Sequence, residues 1–337
     1  MLSPFPGLVL DAAGPVTRSD AAAWGRAVRD APEADRALHR LSPYRAEERS
    51  RLYRYSIDAP TGRVYQGLIG VVAVGSLVPH EETLAHQPVT PPPTLEIRPL
   101  LAITRHRLPD LPESGPESSV VYGRLLHRLT PVEVPQGGVP LRRPVLVDGH
   151  HRRRSLLAHL GPRARAMVLV VGEGGRGLRA ESFQRLLPGV GDLPAAATDL
   201  FEVTEQRAAI PRRGALVWIR PNRPALLLRP RSEALATIDG PLREVEIAVA
   251  ARLLYPLLGV TEEDVAHFST TLGTRHSLEP DDAALLLPRI GADRVLAVAE
   301  AGMLLPPKGS RFRPKPVRGL VIHTGHTAVP KRSSTRR

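Results

Sequence analysis

The stretch that decides the fold runs from position 145 to 152 and reads Val145-Leu146-Val147-Asp148-Gly149-His150-His151-Arg152. Its apolar start predicts a buried strand at Pro144–Val147 that leads into Asp148. Residues 153–160 predict a helix, because Gly161 and Pro162 follow at once and stop it. Gly149 allows the chain to turn sharply between the two elements. The stretch therefore predicts a strand–turn–helix unit with polar groups at its junction.

The polar groups at this junction suit phosphate chemistry. A helix N-terminus presents free backbone N–H groups and a partial positive charge, so it binds phosphate well. Arg152 can bind phosphate through two N–H groups, and Asp148 can hold Mg²⁺ or accept a proton. His150 or His151 can donate a hydrogen bond to a phosphoryl oxygen. A surface turn in which Asp148 only caps the helix is the alternative, and spacing alone does not exclude it.

Outside this unit, strands and helices alternate imperfectly along the chain. Apolar runs predict strands at 63–78, 97–103, 167–171, 281–288 and 319–323, with short strands within 199–229. Helical patterns occur at 18–40, 242–258 and 292–301. No internal repeat is visible. We expect a fold between α/β and α+β, with a mixed β-sheet and flanking helices.

A second polar segment, Pro79-His80-Glu81-Glu82-Thr83-Leu84, directly follows a predicted strand. Charged residues at strand ends often line sites in α/β folds. Glu81 can serve as a general base, and His80 as a metal ligand or an acid. A capped surface turn is the alternative.

A third segment, 305–315, combines prolines that stiffen a loop with several basic residues. Lys308, Ser310 and Lys315 offer hydrogen-bond donors to an anion. A solvated basic loop is an equally good interpretation. The glycine-rich stretch 172–177 lacks the pattern of a P-loop and is more typical of a hairpin loop.

Composition excludes several classes of function. The 337 residues contain no cysteine, which rules out disulfides, zinc–thiolate sites and thiol nucleophiles. Aromatic residues make up 4% of the chain, too few for a base-stacking platform. Nine Lys and Arg residues and no acid lie in 308–337, so most of the net charge of +12 is at that end. We expect no nucleic-acid partner beyond weak contacts of a disordered basic tail, 324–337.

No targeting segment or membrane span is predicted. The first ten residues have no basic start, and the longest uncharged apolar run, 67–79, is shorter than the roughly 20 residues that span a bilayer. We therefore expect a cytoplasmic protein without a membrane partner.

Together these motifs resemble the bacterial and archaeal family called domain of unknown function 1015. The shared segments are Gly67–Gly70, Pro79–Leu84, Asp148–Arg152 and Pro306–Lys315. We expect residues 1–323 to form one family unit, which divides near 175 into a motif-bearing core (50–175) and a second lobe (176–323). The turn at Asp148–Arg152 is also similar to that of free-serine kinases with a ParB/sulfiredoxin-like fold, which bind nucleotide there. The resemblance implies such a core.

The resemblance implies phosphoryl transfer with Mg²⁺ and ATP or ADP, acting on a small-molecule substrate; family members are sometimes labelled phosphatases. On this basis the catalytic residues are Asp148, His151 and Glu81. The nucleotide contacts are Gly149, His150, Arg152, Lys308 and Ser310. The metal ligands are Asp148, His80 and Glu81.

The chain departs from the family pattern in two places. A Pro-Pro-Tyr-Asp-Val segment is replaced by Ser3-Pro4-Phe5-Pro6-Gly7, and a Pro-Thr-His-Arg segment by 181–186, which lacks a histidine. A non-catalytic nucleotide-binding regulatory protein is therefore the main alternative, and binding without turnover would favour it. A ParB-like DNA-associated protein is less favoured. Salt-dependent DNA affinity that disappears on deletion of 324–337 would reflect the charge of the tail only.

Overall fold

The structure of the chain is a computed structural model that describes residues 1–10, 44–47, 49–93, 95–268 and 278–325. The chain forms two compact units. The first contains the described residues of 1–78, 89–177 and the segment from Lys315 onward, and the second those of 79–88 and 178–314. The predicted helix at 18–40 and residues 326–337 of the predicted tail lie outside the described residues.

Strands predominate in the described part of the chain. They are β1 (Gly7–Leu10), β2 (Tyr44–Ala46), β3 (Leu52–Ala59), β4 (Gly62–Ala73), β5 (Val78–Pro79), β6 (Leu100–Ile103), β7 (Ser118–Tyr122), β8 (Leu125–Val132), β9 (Val145–Asp148), β10 (Arg165–Val171), β11 (Arg179–Glu181), β12 (Gln184–Leu187), β13 (Phe201–Gln206), β14 (Leu216–Ile219), β15 (Ala225–Pro230), β16 (Ala266–Phe268), β17 (Ala283–Leu286), β18 (Arg311–Arg313) and β19 (Val321–His323).

The helices are short. They are α1 (His150–Leu160), α2 (Ala197–Leu200), α3 (Ser232–Ala236), α4 (Glu246–Val249), α5 (Tyr255–Leu258) and α6 (Ala292–Glu300). Turns of 3₁₀ helix occur at Val74–Ser76 and Gly240–Glu244, and a π-helical turn occurs at Ala250–Leu254. Within the described ranges, no helix has both the length and the apolar composition needed to cross a membrane.

The first unit is built on an eight-stranded sheet in the order β5-β9-β6-β10-β4-β3-β8-β7. β10 is parallel to β6 and antiparallel to β4, so the sheet is mixed. From Ala166 to Val171 every residue of β10 is buried, as expected for a continuous apolar run in a central strand. A smaller sheet of β19-β1-β2 belongs to the same unit. The expected mixed sheet with few flanking helices is confirmed.

The second unit has its own six-stranded sheet in the order β13-β15-β14-β17-β12-β16. Its pairings are antiparallel, and the buried apolar residues of β14, β15 and β17 form its core. In β12, Arg185 pairs with Leu285 on one side and with His267 on the other. A charged residue is thus placed on a strand that is paired on both sides, next to the edge strand β16. A two-stranded ribbon of β11 and β18 completes the unit.

Two predicted elements differ from the structure, and one hairpin was not predicted. The helix predicted at 242–258 is divided into 3₁₀, α, π and α segments. Pro256 has no N–H to donate, and the wider π turn ends just before it. The strand predicted at 63–78 ends at Ala73, where a 3₁₀ turn begins. The hairpin of β7 and β8 was missed, because its polar residues hide the alternating pattern.

Candidate functional site

The strand–turn–helix unit is present as predicted, with β9 ending at Asp148 and α1 beginning at His150. The helix therefore starts three residues earlier than expected. Gly149 makes the turn alone, with a φ of 100°, in the left-handed region that favours glycine. A Cβ atom at this position would also lie 2.5 Å from Leu100 Cδ2. Glycine is thus required here by both conformation and space.

The N-terminal end of α1 carries the partial positive charge of a helix N-terminus. Gly149 is the N-cap residue, and no side chain of the described residues caps this end. The first N–H groups of a helix have no partner within the helix, and they favour an anion. His150 is buried and His151 is half-buried within this turn. The end of the helix can therefore donate to an anion.

Asp148 lies among three basic side chains of the first unit. Arg98 Nη2 donates to Asp148 Oδ2 at 2.8 Å, and Lys315 Nζ contacts Oδ1. Arg152 Nη2 lies 3.6 Å from Oδ2. Burial tends to raise the pKa of Asp148, but the charges of Arg98, Lys315 and Arg152 outweigh it, and the pKa is lowered. Asp148 is therefore a fixed negative charge.

Arg152 is held by the backbone as well as by Asp148. Its Nη1 donates to the carbonyl oxygen of Arg98, and its Nη2 to that of Pro99 at 3.2 Å. Burial lowers the pKa of Arg152, and the negative charge of Asp148 opposes this shift. The predicted two-pronged phosphate contact would compete with these carbonyls, so the observed geometry favours a fixed positive charge.

Sequence reasoning did not include Arg98 and gave Lys315 a different partner. Arg98 falls in the predicted strand 97–103, but β6 begins only at Leu100. The available signal was a charged residue directly before Pro99, which cannot continue a sheet ladder. Lys315 was expected to offer a donor to an anion, and the structure places it on Asp148. An anion that binds here would therefore contact Arg98 and Lys315 after Asp148 has already brought them together.

The predicted residues of the second unit also form a cluster. Glu81 forms an isolated parallel β-bridge with Leu305. This backbone pairing holds segment 79–84 beside the basic loop, 305–315. Ser310 donates to Glu81 Oε2 from its backbone N at 3.2 Å and from its Oγ at 3.3 Å. His80 Nε2 lies 2.5 Å from Ser310 Oγ, and the His80 side chain has no exposed surface. His80, Glu81 and Ser310 are thus brought together.

Glu81 has the opposite electrostatic environment to Asp148. Burial raises its pKa to about 7, against the opposing effects of the Ser310 hydrogen bonds and of the Lys308 and Arg185 charges. Lys308 is half-buried and adopts a left-handed backbone, with a φ of 54°. The Glu81 carboxyl can therefore gain and lose a proton near neutral pH.

The predicted metal ligands do not fit Mg²⁺ well. Mg²⁺ prefers oxygen ligands in octahedral geometry. Both Asp148 oxygens already contact cations, and a divalent ion there would meet three positive charges. His80 Nε2 is engaged with Ser310 Oγ. Among the described residues, no group of three His, Asp or Glu side chains could hold a metal ion. The predicted residues are therefore not arranged as a Mg²⁺ site.

Comparisons with known proteins give structural likenesses only. No family model matches the chain, and no curated protein matches its sequence. A conserved hypothetical protein from Pyrococcus furiosus shares 14% identity over 74% of this chain and 93% of its own, with a TM-score of 0.42. A free serine kinase in complex with AMP shares 15% over 72% and 86%, with a TM-score of 0.41. SbnI with a C-terminal truncation, from Staphylococcus aureus, shares 15% over 74% and 86%, with a TM-score of 0.44.

These TM-scores are too low for an inference of function from the matched structures. The membership of this chain in the family of the sequence motifs, and its ParB/sulfiredoxin-like core, stay predictions.

Proposed function

We propose that this protein is a cytoplasmic, kinase-like enzyme that binds ATP or ADP and transfers a phosphoryl group to a small hydroxyl-bearing molecule. The observation that carries the proposal is the set of three basic side chains around Asp148 at the N-terminus of α1. Catalysis of phosphoryl transfer consists mainly of positioning and charge neutralisation. A preassembled group of cations at a helix N-terminus supplies both.

In this proposal the nucleotide phosphates bind at the turn between β9 and α1. The backbone N–H groups of the first helical turn and the imidazoles of His150 and His151 donate to phosphate oxygens. Arg98 and Lys315 neutralise the phosphate charge. Asp148 keeps these cations in place before the nucleotide arrives, so that little reorganisation is needed.

Taken by itself, the cluster of the second unit contains a group suited to proton transfer. In a phosphoryl transfer, the acceptor hydroxyl oxygen forms a bond to the phosphorus atom, the bond from phosphorus to the leaving nucleotide oxygen breaks, and the hydroxyl proton passes to a general base, for which Glu81 is the candidate. The pKa of about 7 supports this role, because a general base works best when its pKa lies near the operating pH. Lys308 adds a positive charge beside that carboxylate as it ionises, and in this proposal it also contributes to anion binding at the loop.

A non-catalytic nucleotide-binding protein is the second candidate. The departures at 3–7 and 181–186 favour it, because groups of the family pattern are missing there. A different form of the proposed reaction, hydrolysis of a phosphate ester, needs no nucleotide.

The first test is isothermal titration of the purified protein with ATP, ADP and a non-hydrolysable ATP analogue, with and without Mg²⁺. We expect binding by wild type, and a loss of affinity of about tenfold or more in Lys315→Ala and in Arg98→Ala, since each removes a charge-assisted contact. Arg176→Ala is the matched control. Arg176 is an exposed arginine of the same unit, paired with Glu173 in the glycine-rich stretch.

Three outcomes separate the alternatives. Binding that is weakened by Lys315→Ala but not by Arg176→Ala supports the turn as the phosphate site, and a screen of small hydroxyl-bearing acceptors then tests for turnover. Binding without turnover of any acceptor favours the regulatory alternative. No binding at millimolar nucleotide contradicts the kinase-like proposal and leaves phosphate-ester hydrolysis to be tested.

A further inference from the structure

Arg185, in β12, is a buried charge that neither the motifs nor the proposed reaction uses. Its side chain has no exposed surface. Its Nε and Nη2 donate to the two carboxylate oxygens of Glu262 at 3.1 and 3.2 Å, and its Nη1 donates to the Phe183 carbonyl oxygen at 2.6 Å. Burial of a guanidinium is costly unless it is paired in this way. The guanidinium group of Arg185 is therefore held in a fixed position within the second unit.

The remaining contacts of Arg185 reach the loop that carries Lys308. Its Nη2 also donates to the carbonyl oxygens of Pro307 and Lys308, at 3.3 and 3.2 Å. Lys308 has a φ of 54°, which a residue with a Cβ atom rarely adopts without support. The two hydrogen bonds from Arg185 therefore contact the loop at and next to Lys308, the residue whose backbone is strained.

Glu262 is itself held from two further elements. The Tyr255 hydroxyl donates to Glu262 Oε1 at 3.2 Å, and His267 Nε2 lies 3.0 Å from Oε2. Burial opposes ionisation of Glu262, but the His267 hydrogen bond and the Arg185 charge lower its pKa. A chain of buried polar contacts thus links β16 and α5, through Glu262 and Arg185, to the loop.

We propose that Arg185 is a positioning residue for the loop at Pro307–Ser310. By holding two carbonyl oxygens of the loop, it keeps the Lys308 charge and the Ser310 N–H in place at Glu81, without touching the bound anion itself. The inference rests on the proposed function, in which Lys308 contributes to anion binding. It assigns a role to residues that neither the motifs nor the reaction includes.

The experiment compares two buried arginines of the same unit. Arg185→Lys keeps the positive charge but loses the forked geometry. Arg294→Lys is the matched control, because Arg294 binds the buried Glu246 at 3.1 and 3.2 Å. Glu262→Gln is a second test variant that loosens the anchor of Arg185. Calorimetry establishes that each variant is folded.

Two measurements test whether the loop at Pro307–Ser310 is held in place. One is the rate at which trypsin cleaves the bond between Lys308 and Gly309 in the native protein, identified by mass spectrometry. The other is the dissociation constant for inorganic phosphate. We expect the cleavage rate and the dissociation constant to rise about tenfold in Arg185→Lys. The reason is that this variant loses directional hydrogen bonds worth about one order of magnitude in an equilibrium constant. In Arg294→Lys both quantities should stay unchanged.

Unchanged cleavage and phosphate affinity in folded Arg185→Lys would overturn the inference. If that variant does not fold, the same result with Glu262→Gln overturns it. The parallel variant Lys308→Ala separates the two proposals. If Lys308→Ala leaves phosphate affinity unchanged, the proposed anion-binding role of Lys308 fails, while the cleavage rate still decides whether Arg185 holds the loop.

Discussion

Asp148 and Glu81 are both carboxylates near the end of an apolar run, yet the structure gives them opposite environments. Asp148 contacts three cations, and these lower its pKa in spite of burial. Burial raises the pKa of Glu81 to about 7, although the Ser310 hydrogen bonds and the charges of Lys308 and Arg185 oppose the shift. Asp148 is thus a fixed negative charge in the first unit, and Glu81 is a group that can accept a proton in the second.

The physical difference is in how each carboxylate is compensated. Asp148 receives ion pairs from Arg98 and Lys315, whereas Glu81 receives hydrogen bonds from Ser310 and attraction from the charges of Lys308 and Arg185. His80 Nε2 also lies 3.6 Å from Glu81 Oε2. Direct pairing stabilises the ionised form more than attraction over a distance does. The predictions below test whether this difference governs function, from the largest expected effect to the smallest.

The largest effect is expected from Glu81→Gln, which removes the proton acceptor but keeps the shape and a hydrogen-bond acceptor. We expect phosphoryl transfer to slow by about 10²–10⁴-fold, the usual contribution of a general base. In wild type the rate should rise with pH through about 7, because the carboxyl becomes ionised there. Initial rates between pH 5 and 9 measure both. A variant that keeps the wild-type rate and pH dependence would contradict the assignment of Glu81.

Asp148→Asn should abolish or strongly reduce turnover, by about 10²–10³-fold, while the fold survives. The reason is that three cations lose the charge that positions them, and preorganised groups of this kind contribute about that much. In contrast to Glu81→Gln, the pH dependence of the remaining activity should not change. Steady-state kinetics on a variant shown to be folded by circular dichroism give the answer. Undiminished turnover would remove Asp148 from the mechanism.

Stability should depend on pH with opposite signs for the two carboxylates. The folded-state pKa of Glu81, about 7, exceeds its ordinary value of 4.5. Its contribution is therefore complete below pH 4.5 and lost as the pH rises through 7, with a change of up to about 3 kcal/mol. Urea unfolding of wild type and Glu81→Gln between pH 4 and 8 measures it. A difference that is constant over this range would show that the carboxyl is not shifted.

The same unfolding experiment on Asp148→Asn should give the reverse dependence. The folded-state pKa of Asp148 lies below its ordinary value of 3.8, so its contribution is present above that pH. It is lost only as the pH falls through the lower, folded-state value. The difference between wild type and Asp148→Asn should thus be level from pH 5 to 8 and shrink in acid. If it shrinks near pH 7 instead, Asp148 is not held by its cations.

The smallest effect is expected at the basic loop. Lys308→Ala removes one positive charge, and we expect nucleotide affinity to fall by about tenfold, the range of one charge-assisted contact. Lys308→Arg, which keeps the charge, is the control. Isothermal titration with ATP measures both, and an unchanged dissociation constant in Lys308→Ala would place this loop outside the nucleotide site.

The polar segments could be found from sequence, but several of their partners could not. His80, Glu81 and Ser310 were all chosen from local patterns, and the structure brings them together. Arg98 was missed because it stands in the predicted strand 97–103. Arg185 was missed because 181–186 carried no predicted element and was noted only as a departure from the family pattern. In neither place does a charged residue give a local sign of its partner. The hairpin of β7 and β8 was missed because its polar residues hide the alternating pattern.

The sequence by itself determined the strand–turn–helix unit at Asp148, because an apolar run, a glycine required for the left-handed turn and a helix stop are all local signals. Only the tertiary structure decided what surrounds the two carboxylates. Arg98 and Lys315 reach Asp148 across 50 and 167 residues of sequence, and Ser310 reaches Glu81 across 229. A pKa depends on burial and on the charges within a few ångströms, and such neighbours are fixed by strand pairing between distant segments.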